Sequence, residues 1–370
     1  MQHPVGARFN PDTMRMELTD FTAVIFNPVA QDKFVHTVSA GYVTGSVFVL
    51  AISAFYLLRG RHVEIAKRSM TVAASFGLAA ALSVVVLGDE SGYTATENQK
   101  MKIAAIESTW ETEPAPASFT IFGLPNTETR TTDYAVRVPW MLGLITTRSI
   151  DKQVPGIVDL VANAETRIKL GLVAYDALEK LKAHSTDVGQ KANLATHAAD
   201  LGYALLLKKI RPDILNATPA EITQAAWSTV PAVSPLFWSF RIMVGLGFAF
   251  IALFAVAFWL ASRRRLVQSR RFLWVALIAL PLPWVAAELG WFVAEVGRQP
   301  WVIEGVLPTF LAVSSVPASN ILITLVGFVL FYSTLAVVDV YLMLQAIKTG
   351  PAAVAEASPA SGAPRLVPAE

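Results

Sequence analysis

The sequence predicts an all-α integral membrane protein with about five transmembrane helices and a large extracytoplasmic loop domain between the second and the third. Three observations predict it. Of 370 residues, 54% are hydrophobic and only 16% charged, whereas soluble domains carry about a quarter charged residues. Apolar stretches of roughly 20 residues, the length that crosses a hydrocarbon core as a helix, recur five times. One long segment, from about 88 to 235, turns sharply to charged, polar and proline-bearing sequence.

Taken in order, residues 1–32 form an N-terminal segment outside the membrane. It lacks the basic start and apolar run of a signal peptide, so insertion is expected to use the spans themselves. The spans fall at roughly 33–58, 69–87, 236–262, 272–296 and 320–347. Arg59-Gly60-Arg61-His62 with Lys67-Arg68 separates the first two, and Arg263-Arg264-Arg265 with Arg270-Arg271 separates the third from the fourth. The positive-inside rule places both loops in the cytoplasm. The fifth helix then runs inward to Lys348, and residues 349–370, rich in alanine, proline and serine, read as a disordered cytoplasmic tail. The expected organisation is therefore 1–32 outside, 33–87 two spans, 88–235 a periplasmic loop, 236–348 three spans, then the tail. Within the loop, 157–183 and 191–209 interleave leucines with Glu165, Arg167, Lys169, Glu179 and Lys182 at helical spacing, the pattern of an amphipathic hairpin.

Several function classes drop out. A net charge of +2 with the basic residues in short clusters gives nucleic acid little to bind. The absence of cysteine removes disulfides, thiolate metal sites and iron–sulfur clusters, which leaves histidine, methionine and carboxylates for any metal chemistry. A transporter would place ionisable groups near mid-membrane in two matching halves; here the notable groups gather at one face.

Ionisable or ligating groups inside a span are functional hypotheses by default. His36 lies in the first span near its outer end, where it is either a hydrogen-bonded buried histidine or a haem ligand. Arg241 and Met243 open the third span at similar depth. Met243 is either packing or the second half of a histidine–methionine haem sandwich, with Arg241 near a propionate. In the fourth span Pro281-Leu282-Pro283 predicts a kink. Glu288 and Glu295, seven residues apart, share a face, as do Trp284 and Trp291, and Arg298 follows Glu295 by one turn. Glu295 and Arg298 are either an anchoring ion pair or an iron ligand with its propionate partner. Gly41 and Gly45 suggest close helix packing, and Asp339 is either a proton-path group or a residue reaching the interface.

A family resemblance adds to this. Gly88-Asp89-Glu90-Ser91-Gly92-Tyr93, the run Gln99 to Glu107, and Trp110-Glu111-Thr112-Glu113-Pro114-Ala115-Pro116 look like the quinol-binding loop of cytochrome bd oxidase subunit I. Gly290-Trp291-Phe292-Val293-Ala294-Glu295 with Gly297-Arg298-Gln299-Pro300-Trp301 resembles that family's signature around its high-spin haem b. Phe34-Val35-His36-Thr37 and Arg241-Ile242-Met243 extend the likeness over about 350 residues.

The resemblance implies that His36 and Met243 are axial ligands of a low-spin haem b, with Arg241 beside its propionates. It implies that Glu295 ligates a high-spin haem b, with Trp291 and Arg298 close by, and that Lys102 and Glu107 form the quinol site. The 157–210 hairpin resembles the insertion of the long-loop branch, which would shield that site. The implied activity is quinol oxidation at the outer face of a bacterial inner membrane, with electrons passing through haem b toward reduction of oxygen to water. A second subunit and a small single-helix subunit would be partners. Full-length members carry four further helices ahead of the point where Met1 falls, including the ligand of haem d. That ligand is absent from this sequence, so an inactive membrane fragment of the same subunit is the alternative expectation.

Overall fold

The computed structural model describes residues 2–10, 12–13, 15–184 and 186–351; most of the expected disordered tail lies outside them. A hairpin of β1 (Ala7–Asn10) and β2 (Arg15–Leu18) precedes the short α1 (Phe21–Ile25), whose first turn is capped by the Asp20 carboxylate accepting from the Ala23 N–H. Two long helices follow, α2 (Pro28–Arg59) and α3 (Val63–Asn98). The latter continues to Asn98, well past the apolar stretch that ends near 87. Its polar extension is held by Arg148, which pairs with both Asp89 and Glu90.

The loop segment is mostly helical but carries a β-hairpin that hydrophobic periodicity did not reveal. Its elements are α4 (Lys100–Glu107), β3 (Phe119–Asn126) paired antiparallel with β4 (Thr131–Val138), α5 (Met141–Thr147), α6 (Ile157–Ala183), α7 (Val188–His197), α8 (Leu201–Leu205) and α9 (Pro219–Trp227). Helix α6 spans the expected 157–183. It buries Ile157, Val161, Ala164, Ile168, Gly171, Ala174, Ala177 and Leu181, a stripe recurring every three or four residues. The return arm, expected as one helix over 191–209, is instead α7, a 3₁₀ turn, α8 and a second 3₁₀ turn. The break has a local cause. Arg167 draws Asp200 toward α6 with a 2.6 Å ion pair, and Gly171 leaves room for the Asp200 carbonyl, with which a Cβ would collide.

After this come α10 (Val233–Ser262), α11 (Arg270–Ile278) and α12 (Leu282–Val296), then a small hairpin of β5 (Trp301–Ile303) and β6 (Leu307–Pro308), and finally α13 (Ala318–Thr349). The helix is interrupted between Ile278 and Leu282, where Pro281 and Pro283 withdraw two backbone donors. Among the described residues, five stretches are long and apolar enough to cross a membrane: Phe21–Arg59, Val63–Asn98, Val233–Ser262, Arg270–Val296 and Ala318–Thr349.

The chain forms two compact units. The first comprises Met1–Gly45, Gly77–Leu253 and Pro281–Val313. Its core joins Ala104, Ala105 and Ile106 of α4 to Ile157, Val161 and Ile168 of α6, Ala225 of α9, Leu236 of α10, Val293 of α12 and Trp301 of β5. Burying each large aliphatic side chain is worth about 1.5–3 kcal/mol, so α4 is pinned by this core along its length. The second unit comprises Ser46–Phe76, Phe254–Leu280 and Ser314–Glu370. There the Tyr56 hydroxyl donates to the Ile347 carbonyl at 2.9 Å and Arg61 to the Lys348 carbonyl at 3.1 Å. Helix α13 is apolar on all sides and buries none of its residues within the chain, as suits a helix whose solvent is lipid or another polypeptide.

Candidate functional site

The first unit gathers charged side chains singled out in the sequence around α4, the start of α10 and the end of α12. Glu107 ends α4. The chain turns sharply at Ser108, whose φ of 54° is left-handed, and the turn is held from β4 because Thr132 donates to the Ser108 carbonyl at 3.0 Å. This aims the Glu107 carboxylate at α10, where Arg241 receives it at 3.0 Å; the two side chains are only 6% and 9% exposed. Arg241 is fully engaged. Its Nε donates to the Thr120 carbonyl, one Nη to the carbonyls of Ile106 and Phe237, and the other Nη to Glu107 and again to Thr120. Its guanidinium also lies 3.3 Å from the centre of the Phe237 ring. One arginine therefore ties α4, β3 and α10 together. With all five N–H groups used, none is left for a propionate in this arrangement.

Burial pushes the Glu107 carboxyl up, to about 7, against the opposing pull of Arg241. Lys102, one turn and a half earlier on α4, is also buried, and burial first and the charge of Lys33 second bring its ammonium down to about 7. Glu295 and Glu304 pull Lys102 the other way. Its aliphatic stem lies against Gly297 at the end of α12, where an added Cβ would sit 3.0 Å from Cγ and Cε. Glu295 and Arg298 form an ion pair one turn apart, and Arg298 also donates to the Val302 carbonyl at 3.3 Å. Trp291 is 64% exposed and Glu288 is exposed as well.

His36 and Met243 each face a glycine. A Cβ on Gly88 of α3 would lie 3.4 Å from the His36 ring, and one on Gly290 of α12 would lie 3.1 Å from the Met243 sulfur. His36 Nδ1 is buried without a hydrogen-bond partner, an arrangement that ordinarily costs about 1–3 kcal/mol. Among the described residues no three His, Asp or Glu side chains gather as they would about a bare metal ion; a haem iron asks the protein for only one or two axial donors.

Two groups of this cluster escaped sequence reasoning. Lys33 sits one turn before His36, a spacing that was legible in the sequence. Glu304 sits at the turn between β5 and β6, three residues beyond the Gly297–Trp301 segment, and carried no local signal of its own.

Five described helices of membrane-crossing length, together with a buried carboxylate–arginine pair and a buried lysine in the first unit, define a multi-pass membrane protein with a charged, buried site. The comparisons with known proteins assign its family. The family model for cytochrome bd terminal oxidase subunit I matches residues 1–351, and the chain belongs to that family. It is 41% identical over 359 residues to the cytochrome bd-II ubiquinol oxidase subunit 1 of Escherichia coli (strain K12), covering 97% of this chain and 70% of that protein. It is 29% identical over 351 residues to the cytochrome bd ubiquinol oxidase subunit 1 of Bacillus subtilis (strain 168), covering 95% and 63% respectively. Among solved structures it resembles the bd oxidase from Geobacillus thermodenitrificans, with a TM-score of 0.67 at 21% identity, over 95% of this chain and 65% of that one. The chain thus spans roughly two thirds of the length of these relatives.

Proposed function

We propose that this chain oxidises quinol at the outer face of a bacterial inner membrane, as the haem-binding subunit of a quinol oxidase of the cytochrome bd type. The observation that carries the reading is the eight-residue helix α4, which buries a lysine and a glutamate about a turn and a half apart, both brought near neutrality. Each group then exchanges a proton at working pH, as general acid–base chemistry requires. Glu107 accepts a proton from a quinol hydroxyl, and Arg241 holds the carboxylate in place and stabilises its charge. Lys102, when protonated, donates a hydrogen bond to a quinol oxygen and stabilises negative charge developing there. The surrounding apolar core excludes water, which strengthens both interactions.

The residues present fit haem. The unpartnered His36 Nδ1 and the glycines beside His36 and Met243 describe side chains whose surroundings are kept small. His36 and Met243 would be the axial ligands of low-spin haem b, and Glu295 would ligate high-spin haem b with Trp291 and Arg298 beside it. Haem supplies a one-electron acceptor for quinol oxidation. Arg241 serves Glu107 in this reading; to meet a propionate it would have to release one of its five hydrogen bonds. Oxygen, haem d, a second subunit and a small single-helix subunit belong to the complete complex, and the basic loops face the cytoplasm.

The test is a reduced-minus-oxidised spectrum with haem quantitation, alongside quinol oxidation by the assembled complex. Glu107→Gln is expected to slow quinol oxidation while leaving the haem bands intact. Loss of haem in that variant, or unchanged turnover, would assign Glu107 a structural role and remove the basis of the proposal.

A further inference from the structure

The β3–β4 hairpin carries an apolar surface that the site described above does not use. Bulges between Thr120 and Phe122 and between Phe122 and Leu124 interrupt the alternation of β3, so Ile121 and Phe122 are both turned outward. Ile121, Phe122 and Leu124, with Tyr134 and Val136 of β4 and Trp140 at the start of α5, are between 44% and 81% exposed. Phe122 and Val136 stand opposite one another across the ladder and so share a face. Contiguous exposed apolar side chains mark a binding surface, and a two-stranded ribbon with both edges open is an aggregation template unless something covers it.

This surface is held in place by contacts made elsewhere on the hairpin. The Thr120 carbonyl accepts from Arg241 Nε of α10 at 3.0 Å, Thr132 donates to the Ser108 carbonyl at 3.0 Å, and Arg130 in the turn lies 3.9 Å from the centre of the Trp227 ring of α9. Phe122 meets Trp238 of α10 edge to face, with ring centroids 5.3 Å apart.

Trp238 sets the depth. The apolar run of α10 ends at Ser262, ahead of Arg263-Arg264-Arg265. Counting about 20 residues back from there puts the edge of the hydrocarbon core near Met243. Trp238 then lies about 7.5 Å further out, at 1.5 Å per residue, in the headgroup layer where tryptophan and tyrosine collect. Phe122 shares that level, and the exposed face of the hairpin is continuous through it with the surface that α10 turns to lipid.

We propose that the exposed face of the β3–β4 hairpin is a membrane-docking surface, and that its partner is the headgroup and upper acyl layer of the phospholipid leaflet that α10 enters. Ile121, Leu124 and Val136 meet the acyl boundary, and Tyr134 and Trp140 offer an apolar body with a polar tip, the chemistry of an interfacial anchor. The charged side chains of the two strands are compatible with this level. Arg137 pairs with Glu113 at 2.7 Å, and Asp133 accepts from Thr131 at 3.1 Å among hydrated headgroups. The assignment requires of the chain only that α10 crosses the membrane. Its structural consequence is that the buried Arg241–Glu107 pair is fastened, through Thr120, to the strand that meets the leaflet.

The chain has no cysteine, so a label can be set at one position at a time. Complexes carrying Leu124→Cys, Val136→Cys or Glu179→Cys are labelled with a small environment-sensitive fluorophore, read against the unsubstituted complex, and placed in phosphatidylcholine nanodiscs with or without bromine on the acyl chains. Glu179 on α6, exposed in an ion pair with Lys182, is the water-facing control. Brominated lipid should quench the labels at 124 and 136 several-fold more than the label at 179, and aqueous iodide should quench them several-fold less. Iodide quenching equal to that at 179, with no effect of bromine, would place the hairpin in water and overturn the proposal. Protection from both quenchers would show that another polypeptide covers the surface and would overturn it equally. So would failure of both hairpin variants to assemble, since side chains that face lipid tolerate a cysteine.

Discussion

Arg241 presents five N–H groups, and of the atoms that receive them only Glu107 Oε2 carries a charge; the rest are carbonyls of Ile106, Thr120 and Phe237. The neutral acceptors fix the guanidinium whether or not Glu107 is ionised. The ion pair can then open and close electrically, as a proton comes and goes, without the arginine moving. A buried carboxylate whose partner is held by other bonds is suited to cycling between protonated and ionised states.

The pH dependence follows from this. Glu107 must be deprotonated to act as a base, so activity rises as pH passes about 7; Lys102 must be protonated to stabilise the oxygen, so activity falls as pH passes about 7. A narrow bell in kcat/KM for quinol, with its maximum near neutrality, is the expected profile. Glu107→Gln should flatten the rising limb. A rate independent of pH across this range in the wild type would count against both assignments.

Replacing Arg241 by Gln leaves Glu107 buried with its charge uncompensated. Breaking such a pair costs about 3–5 kcal/mol. Its loss also drives the carboxyl further up, which moves the rising limb to higher pH. Thermal inactivation of the complex should shift to lower temperature together with that limb. Arg241→Lys, which keeps the charge but not the five-donor fork, should restore the limb more than the stability.

The glycines beside His36 and Met243 give a graded test of the haem assignment. A Cβ at Gly290 would sit 3.1 Å from the Met243 sulfur and must displace it, whereas one at Gly88 would meet the His36 ring at 3.4 Å, close to ordinary contact. Gly290→Ala should therefore shift the low-spin haem band, and Gly88→Ala should perturb it less. His36→Ala or Met243→Leu should abolish it. A low-spin spectrum unchanged in both of these last variants would rule out the ligand pair.

Membrane orientation is testable against a clean background, because the sequence contains no cysteine. A single cysteine at Glu179 on α6 should react with a membrane-impermeant thiol reagent added from the periplasmic side. One at Arg264, between α10 and α11, should react only after the membrane is opened. The reverse pattern would invert the topology drawn from the basic loops.

The five spans were legible in the sequence because lipid imposes one rule on every residue of a crossing helix: it must be apolar and must satisfy its own backbone. Composition over about 20 residues is enough to read that. The kink at Pro281 and Pro283 was legible for the same local reason, since a proline removes a donor wherever it stands. The stripe along α6 was legible because its burial recurs every three or four residues. The return arm was not, because its break at Asp200 depends on Arg167, thirty-three residues away, and on the room left by Gly171. Lys102 and Glu107 could be named from the sequence by resemblance, but nothing in α4 itself says that Arg241, 134 residues on, will meet Glu107. Nor does it say that Glu304 will come within reach of Lys102. Proton affinity is set by burial and by neighbouring charges, and both are properties of packing. The sequence by itself determined which stretches are long and apolar enough to cross a membrane; only the tertiary structure decided which of its charged groups are drawn together out of water, because burial and neighbouring charge are set by packing.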